Sequence, residues 1–124
     1  MAYDQENIFA KILRGEIPCN KVYEDDHALA FHDINPQAPV HVLVIPKGEY
    51  VSMMDFTANA PADLMAGFMR AIGETARELE LEENGYRILA NAGEHAHQDV
   101  PHLHIHILGG KPLGPMLDRK FKGA

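Results

Sequence analysis

Val100-Pro101-His102-Leu103-His104-Ile105-His106-Ile107-Leu108-Gly109-Gly110 spaces three of the chain's eight histidines two residues apart, with Leu103, Ile105 and Ile107 between them. A two-residue repeat is the period of a β-strand, whose successive side chains face opposite sides of the sheet. The spacing therefore predicts a strand that lines His102, His104 and His106 along one face and sends the three aliphatic residues into a core. Imidazole serves near neutral pH as base, nucleophile or metal ligand. A purely structural reading must find hydrogen-bond partners for three adjacent rings, which makes the array the candidate chemical centre. Two chemistries stay open on these residues alone. One is a metal site with His41 or Asp99 as a further ligand; the other is nucleophilic catalysis by one imidazole oriented by its neighbours.

Outward from this stretch, Asn91-Ala92-Gly93-Glu94-His95-Ala96-His97-Gln98-Asp99 reads as a polar loop able to bring donors near the array. Before it, Asn84-Gly85 separates a strand over 86–90 from a long helix over 61–81. Leu64, Met65, Phe68, Met69, Ile72, Ala76 and Leu79 form the apolar stripe of that helix, with Met65 and Met69 read as core filler. Three short strands are predicted over 21–24, 28–33 and 41–45, the last after the proline-bounded segment 35–39. A short helix over 8–14 has Asn7 as its cap and Gly15 at its end. The expected architecture is α+β: a five-stranded, mainly antiparallel sheet with one long and one short helix, both on the face bearing Leu103, Ile105 and Ile107.

Composition bounds the partners. At 46% hydrophobic, 124 residues suit a single domain over 1–124, and the formal charge of −7 disfavours nucleic acid and anionic membrane. The start of the chain lacks a basic region followed by an apolar run, and no stretch is apolar enough to span a bilayer, so a cytoplasmic location is expected. The single cysteine, Cys19, fits a reducing compartment and reads as an incidental thiol.

The segment 102–108 matches the signature His-φ-His-φ-His-φ-φ, where φ is apolar, at every position. Further blocks agree: Asn7-Ile8-Phe9-Ala10-Lys11-Ile12, Gly15-Glu16-Ile17-Pro18, Ala30-Phe31-His32-Asp33-Ile34, Pro36-Gln37-Ala38-Pro39-Val40-His41, Val44-Ile45-Pro46 and Pro112-Leu113-Gly114-Pro115-Met116. Together they resemble the histidine triad nucleotide-binding proteins across nearly the whole chain. The resemblance implies a purine nucleoside phosphoramidase, which hydrolyses the P–N bond of a nucleoside 5′-phosphoramidate through a nucleotidyl-histidine intermediate. It implies His104 as nucleophile, His106 at the phosphate and leaving amine, and His41 and His102 as orienting residues of the catalytic set. Asp33 matches the ribose position, and Asn91 and Gln98 match phosphate-side contacts, with Asp99 and Val100 beside them. Ile8, Phe9, Ile12, Ile17, Phe31, His32 and Ile34 match the base pocket. The partners implied are purine nucleoside monophosphate derivatives and a second copy of the chain, two sheets joining edge to edge into ten strands; no cofactor or metal is implied.

Three positions depart from the commoner pattern. Ala96-His97-Gln98 stands where Gly-Gly-Gln is frequent, Asp99 where a serine donor is frequent, and Pro101 where an aromatic residue is frequent. A carboxylate at 99 repels phosphate unless it is protonated, bridged or turned toward an imidazole. Two other functions share the signature: a dinucleoside polyphosphate hydrolase and a non-catalytic nucleotide-binding or regulatory module.

Overall fold

A computed structural model describes residues 2–117; Met1 and residues 118–124, the ends of the expected 1–124 domain, lie outside the described residues. The chain runs α1 (Ile8–Leu13), β1 (Lys21–Glu24), β2 (Ala28–His32), β3 (Val40–Pro46), α2 (Met53–Asn59), α3 (Ala62–Glu78), β4 (Arg87–Leu89), a 3₁₀ turn (Glu94–Ala96) and β5 (Ile105–Gly109). The five strands form one antiparallel sheet in the order β1-β2-β3-β5-β4.

Side-chain parity on β3 decides what each face does. Val42 and Val44 point to one side and join Ala28, Ala30, Leu103, Ile105 and Ile107 in a core closed by Phe56 of α2 and Phe68, Ala71 and Ile72 of α3. Phe68, 1% exposed, contributes roughly 1.5–3 kcal/mol by leaving water. Leu43 and Ile45 point to the other side, where they pack with Leu29, Phe31 and Phe9. His41 shares that parity. So does His106, which sits opposite Leu43 in the β3–β5 register.

The sheet is thus covered on both faces, a correction to the expectation that both helices share one. Helix α1 lies on the histidine side because its inward residue, Phe9, packs on Leu29, Phe31, Leu43 and Ile45. Asn7 caps it as expected, its side chain accepting from Ala10 N at 2.9 Å, and Gly15 follows the helix with φ +78°. Helix α2 is an addition to the expected pair. Its signal was present in Ser52-Met53-Met54-Asp55, a capping-box spacing, and the Asp55 carboxylate accepts Val51 N–H at 2.8 Å. In α3, Phe68, Ile72 and Ala76 are buried and Leu64, Met65 and Leu79 pack at the margin. Met69, expected in the core, is 66% exposed, because its position has rotated past the edge of the buried stripe.

The histidine strand also begins later than its alternation suggests. β5 starts at Ile105, so His102 and His104 precede the ladder. The Pro101 ring cannot donate to a ladder, and Leu103 N–H bonds Tyr50 O at 2.8 Å in the β3–α2 connection instead.

Candidate active site

His102 is fully buried at the inner end of the histidine row. Its Nε2–H donates to Pro46 O at 3.2 Å, and its Nδ1 accepts from the Tyr3 hydroxyl at 2.5 Å. Burial holds its pKa down at about 4, against the ordinary 6.5, so the ring is neutral.

His104 stands next, against the edge of Phe9 at 5.0 Å between ring centroids. Its Nδ1–H donates to His102 O at 2.7 Å. That bond commits the proton to Nδ1 and leaves Nε2 as a lone pair on the pocket side, the form an attacking imidazole needs.

His106 is linked to β3 by a chain of assigned protons. Gln37 N–H donates to His41 Nδ1 at 3.0 Å, which places the His41 proton on Nε2; that proton faces His106 Nδ1 at 2.9 Å and an Asp33 carboxylate oxygen at 3.3 Å. His106 Nδ1 is therefore the acceptor and its Nε2 carries a proton. This Nε2 is buried and has no partner among the described residues. An unpaired buried donor costs roughly 1–3 kcal/mol, recovered when a ligand oxygen accepts from it. Burial, reinforced by His104 and His41, holds the His106 pKa at about 4, and burial lowers that of His41 as well.

The donor atoms of Asp33, His41 and His106 all lie within 4.8 Å of one another. A cation there would need the lone pair of His41 Nε2, which the Gln37 contact commits to a proton. The cluster reads as a hydrogen-bond chain on these grounds.

The histidines open into a cavity of about 430 Å³, within the range of small-molecule sites. Ile8, Phe9, Ile12, Ile17, Phe31, His32, Asp33, Ile34, Asp99, Val100, His104 and His106 line it, twelve of the residues named from the sequence. His41 and His102 stand behind the wall. Ile8 and Ile34, 42% and 86% exposed, form an apolar rim that a flat ring system would cover. Asp33 Oδ1 accepts from Asn35 N at 2.8 Å, which holds the carboxylate at the pocket edge.

Asn91 and Gln98 do not line the cavity. The Gln98 amide accepts from Gly93 N at 2.9 Å and donates to Val51 O and Val100 O at 2.7 and 3.0 Å, so it ties the 91–101 loop to the β3–α2 connection. His97 takes a left-handed conformation, φ +58°, at the position where glycine is frequent. Pocket residues that the sequence reading passed over are Pro18, Cys19, Asn20, Asn35 and Leu43. The α1–β1 connection brings in the first three, and no local pattern marks them. Burial pushes the Cys19 thiol up, away from reactivity.

The HIT domain family model matches residues 14–113. An uncharacterized HIT-like protein of Azospirillum brasilense is 63% identical over 94% of this chain and 96% of its own length. The purine nucleoside phosphoramidase of Escherichia coli K12 is 45% identical over 94% of this chain and 97% of its own. Among solved structures, a histidine triad protein from Clostridium difficile superposes with a TM-score of 0.80 at 43% identity, covering 92% of this chain and 98% of that one. With this match over residues 14–113, these relatives and a histidine row opening into the cavity beneath α1, the chain belongs to the HIT domain family.

Proposed function

We propose that this protein is a purine nucleoside phosphoramidase, a single histidine triad domain that cleaves the P–N bond of nucleoside 5′-phosphoramidates. The observation that carries the reading is the His104 Nδ1–H bond to His102 O at 2.7 Å, which presents an Nε2 lone pair to the cavity. The name of the Escherichia coli relative supports the same activity.

In this reading His104 Nε2 attacks phosphorus. The P–N bond breaks, the amine leaves with a proton, and a nucleotidyl-His104 intermediate remains; water then attacks phosphorus, releasing the nucleoside monophosphate and restoring His104. The unpartnered His106 Nε2–H meets a phosphoryl oxygen or the leaving nitrogen. Asp33 at the pocket edge takes the ribose hydroxyls, and Ile8, Phe9, Phe31 and Ile34 hold the purine. Gln98 acts on the phosphate side by shaping the loop in which Asn91 also stands.

Asp99 favours this substrate over a dinucleoside polyphosphate. Asp99 lines the cavity with His104 and His106, and a polyphosphate would bring several further negative charges past it. Dimerisation into a ten-stranded sheet fits edge strand β4, which exposes Ile88 and the neighbouring Tyr86, whereas the other edge, β1, exposes Lys21 and Glu24. A cytoplasmic site of action accords with the absence, among the described residues, of any helix long and apolar enough to cross a membrane.

The test is hydrolysis of a fluorogenic adenosine 5′-phosphoramidate by the wild type and His104→Ala, each with and without a chelator. Chelator-resistant turnover that disappears in the variant is expected; nucleotide binding without turnover in the wild type would point to a binding module instead.

A further inference from the structure

The segment that carries the nucleophile lies outside the sheet. Residues 101–104 precede β5, so no strand ladder fixes the rotation of the His102–Leu103 peptide plane. Its two polar atoms are fixed individually. The carbonyl accepts from His104 Nδ1 at 2.7 Å, and the amide of Leu103 donates to Tyr50 O at 2.8 Å. The nucleophile is thus oriented by one carbonyl oxygen, and that oxygen belongs to His102.

His102 is held at both ring nitrogens, and one of the two bonds comes from far along the chain. Pro46 O takes the Nε2 proton at 3.2 Å. The Tyr3 hydroxyl donates to Nδ1 at 2.5 Å, and the two rings meet edge to face at 5.6 Å between centroids. The arm that bears Tyr3 is itself fastened: Arg14 donates to Gln5 O at 2.8 Å, while Asn7 donates to Asp4 O from both its backbone and its side chain. The arm also passes beside Glu49, to which Gln5 donates at 3.3 Å. These bonds bring the Tyr3 hydroxyl against His102 Nδ1, a buried imidazole nitrogen that needs a donor.

We infer that Tyr3 is a positioning residue for the reaction: with Pro46 O taking the Nε2 proton, its hydroxyl on Nδ1 completes the hold on the Nε2–H tautomer and one ring orientation of His102, and through the His102 carbonyl it holds His104 with Nε2 free to attack. Without that donor, His102 Nδ1 is a buried acceptor with no partner. The ring can then flip or exchange tautomers, the 102–103 peptide gains rotational freedom, and the His104 Nδ1–H contact loosens. The effect falls on attack geometry and leaves substrate contacts in place, since Tyr3 does not line the nucleotide cavity.

The inference rests on the phosphoramidase reading for its kinetic part alone, and the experiment keeps the two apart. Tyr3→Phe removes only the hydroxyl and keeps the edge-to-face packing. Two measurements are made on it and on the wild type: ¹⁵N imidazole spectra of the histidines without nucleotide, and kcat and KM on an adenosine 5′-phosphoramidate. Ile72→Val, in α3 on the opposite face of the sheet, controls for lost stability. In the wild type His102 shows a single Nε2–H tautomer and His104 a single Nδ1–H tautomer. In Tyr3→Phe both signals move toward tautomer exchange, kcat falls on the order of tenfold, and KM stays within about twofold. Ile72→Val changes neither spectra nor kinetics. Unchanged His102 and His104 spectra in Tyr3→Phe would overturn the inference, as would kcat equal to wild type. A wild type that binds nucleotide without turnover would refute the activity and leave the spectra to decide the role of Tyr3.

Discussion

His41 Nε2 lies 2.9 Å from His106 Nδ1, and the Gln37 N–H bond to His41 Nδ1 fixes which of the two carries the shared proton. A backbone amide in the 33–39 connection thereby sets, through His41 on β3, the tautomer of a histidine on the paired strand β5. His41→Ala removes the donor and frees His106 to place its proton on Nδ1, where it cannot reach the substrate. We expect kcat on a phosphoramidate to fall on the order of tenfold to a hundredfold. His41→Gln, whose amide can donate to His106 Nδ1, recovers part of the loss; equal losses in both variants would contradict the tautomer assignment.

Stability should depend on pH in a window set by the buried rings. His102 and His106 titrate at about 4 in the folded protein against 6.5 as the ordinary value, so between those values the unfolded chain binds more protons than the folded one. Stability is then complete above about pH 6.5 and declines as pH falls toward 4. For the fully buried His102 alone the decline is about 3 kcal/mol at 1.36 kcal/mol per unit. Urea unfolding at pH 7.0, 6.0 and 5.0 measures it, with His102→Gln flattening the profile. A wild-type profile flat from 7 to 5 would mean that these rings are charged in the folded state.

Helices α1 and α3 end in the same hydrogen-bond pattern on different residues. Past α1, Gly15 N bonds Ile12 O and Glu16 N bonds Lys11 O; past α3, Glu80 N bonds Arg77 O and Leu81 N bonds Ala76 O. Gly15 takes φ +78° without strain, whereas Glu80 takes φ +58° with a Cβ that crowds its own backbone. Glu80→Gly should raise stability by about 1 kcal/mol, read as a higher Tm. Gly15→Ala should lower it by a similar amount.

We expect Asp99 to set phosphate affinity by its charge. It lines the cavity with His104 and His106, so Asp99→Ser removes a repulsion and supplies a hydroxyl donor. Titration calorimetry with a nucleoside 5′-monophosphate should show several-fold tighter binding by the variant, with a smaller difference at high salt. Binding unchanged in Asp99→Ser would show that the carboxylate points away from the phosphate.

Much of this was legible in short-range pattern. The alternation at 102–107 located the histidine face because neighbouring side chains in extended backbone face opposite ways whether or not a ladder forms, and the Asn7 and Gly15 signals bounded α1. Four features were not readable that way. The face chosen by α1 depends on where Phe9 meets Leu29 and Leu43, contacts between segments far apart in sequence. The start of β5 depends on Leu103 N–H finding Tyr50 O in place of a strand partner. The inward position of Gln98 depends on Val51 O, 47 residues away. The Tyr3 contact with His102 spans 99 residues, and nothing around Tyr3 announces it.

The most direct measurement is intact-protein mass spectrometry after an alkaline denaturing quench, which preserves the acid-labile P–N bond to histidine, of enzyme mixed with excess adenosine 5′-phosphoramidate, followed by peptide mapping. We predict a transient adduct of one adenylyl group per chain, located on His104 and absent from His104→Ala. Turnover by the wild type with no adduct at any quench time, or an adduct on another residue, would contradict attack by His104 Nε2.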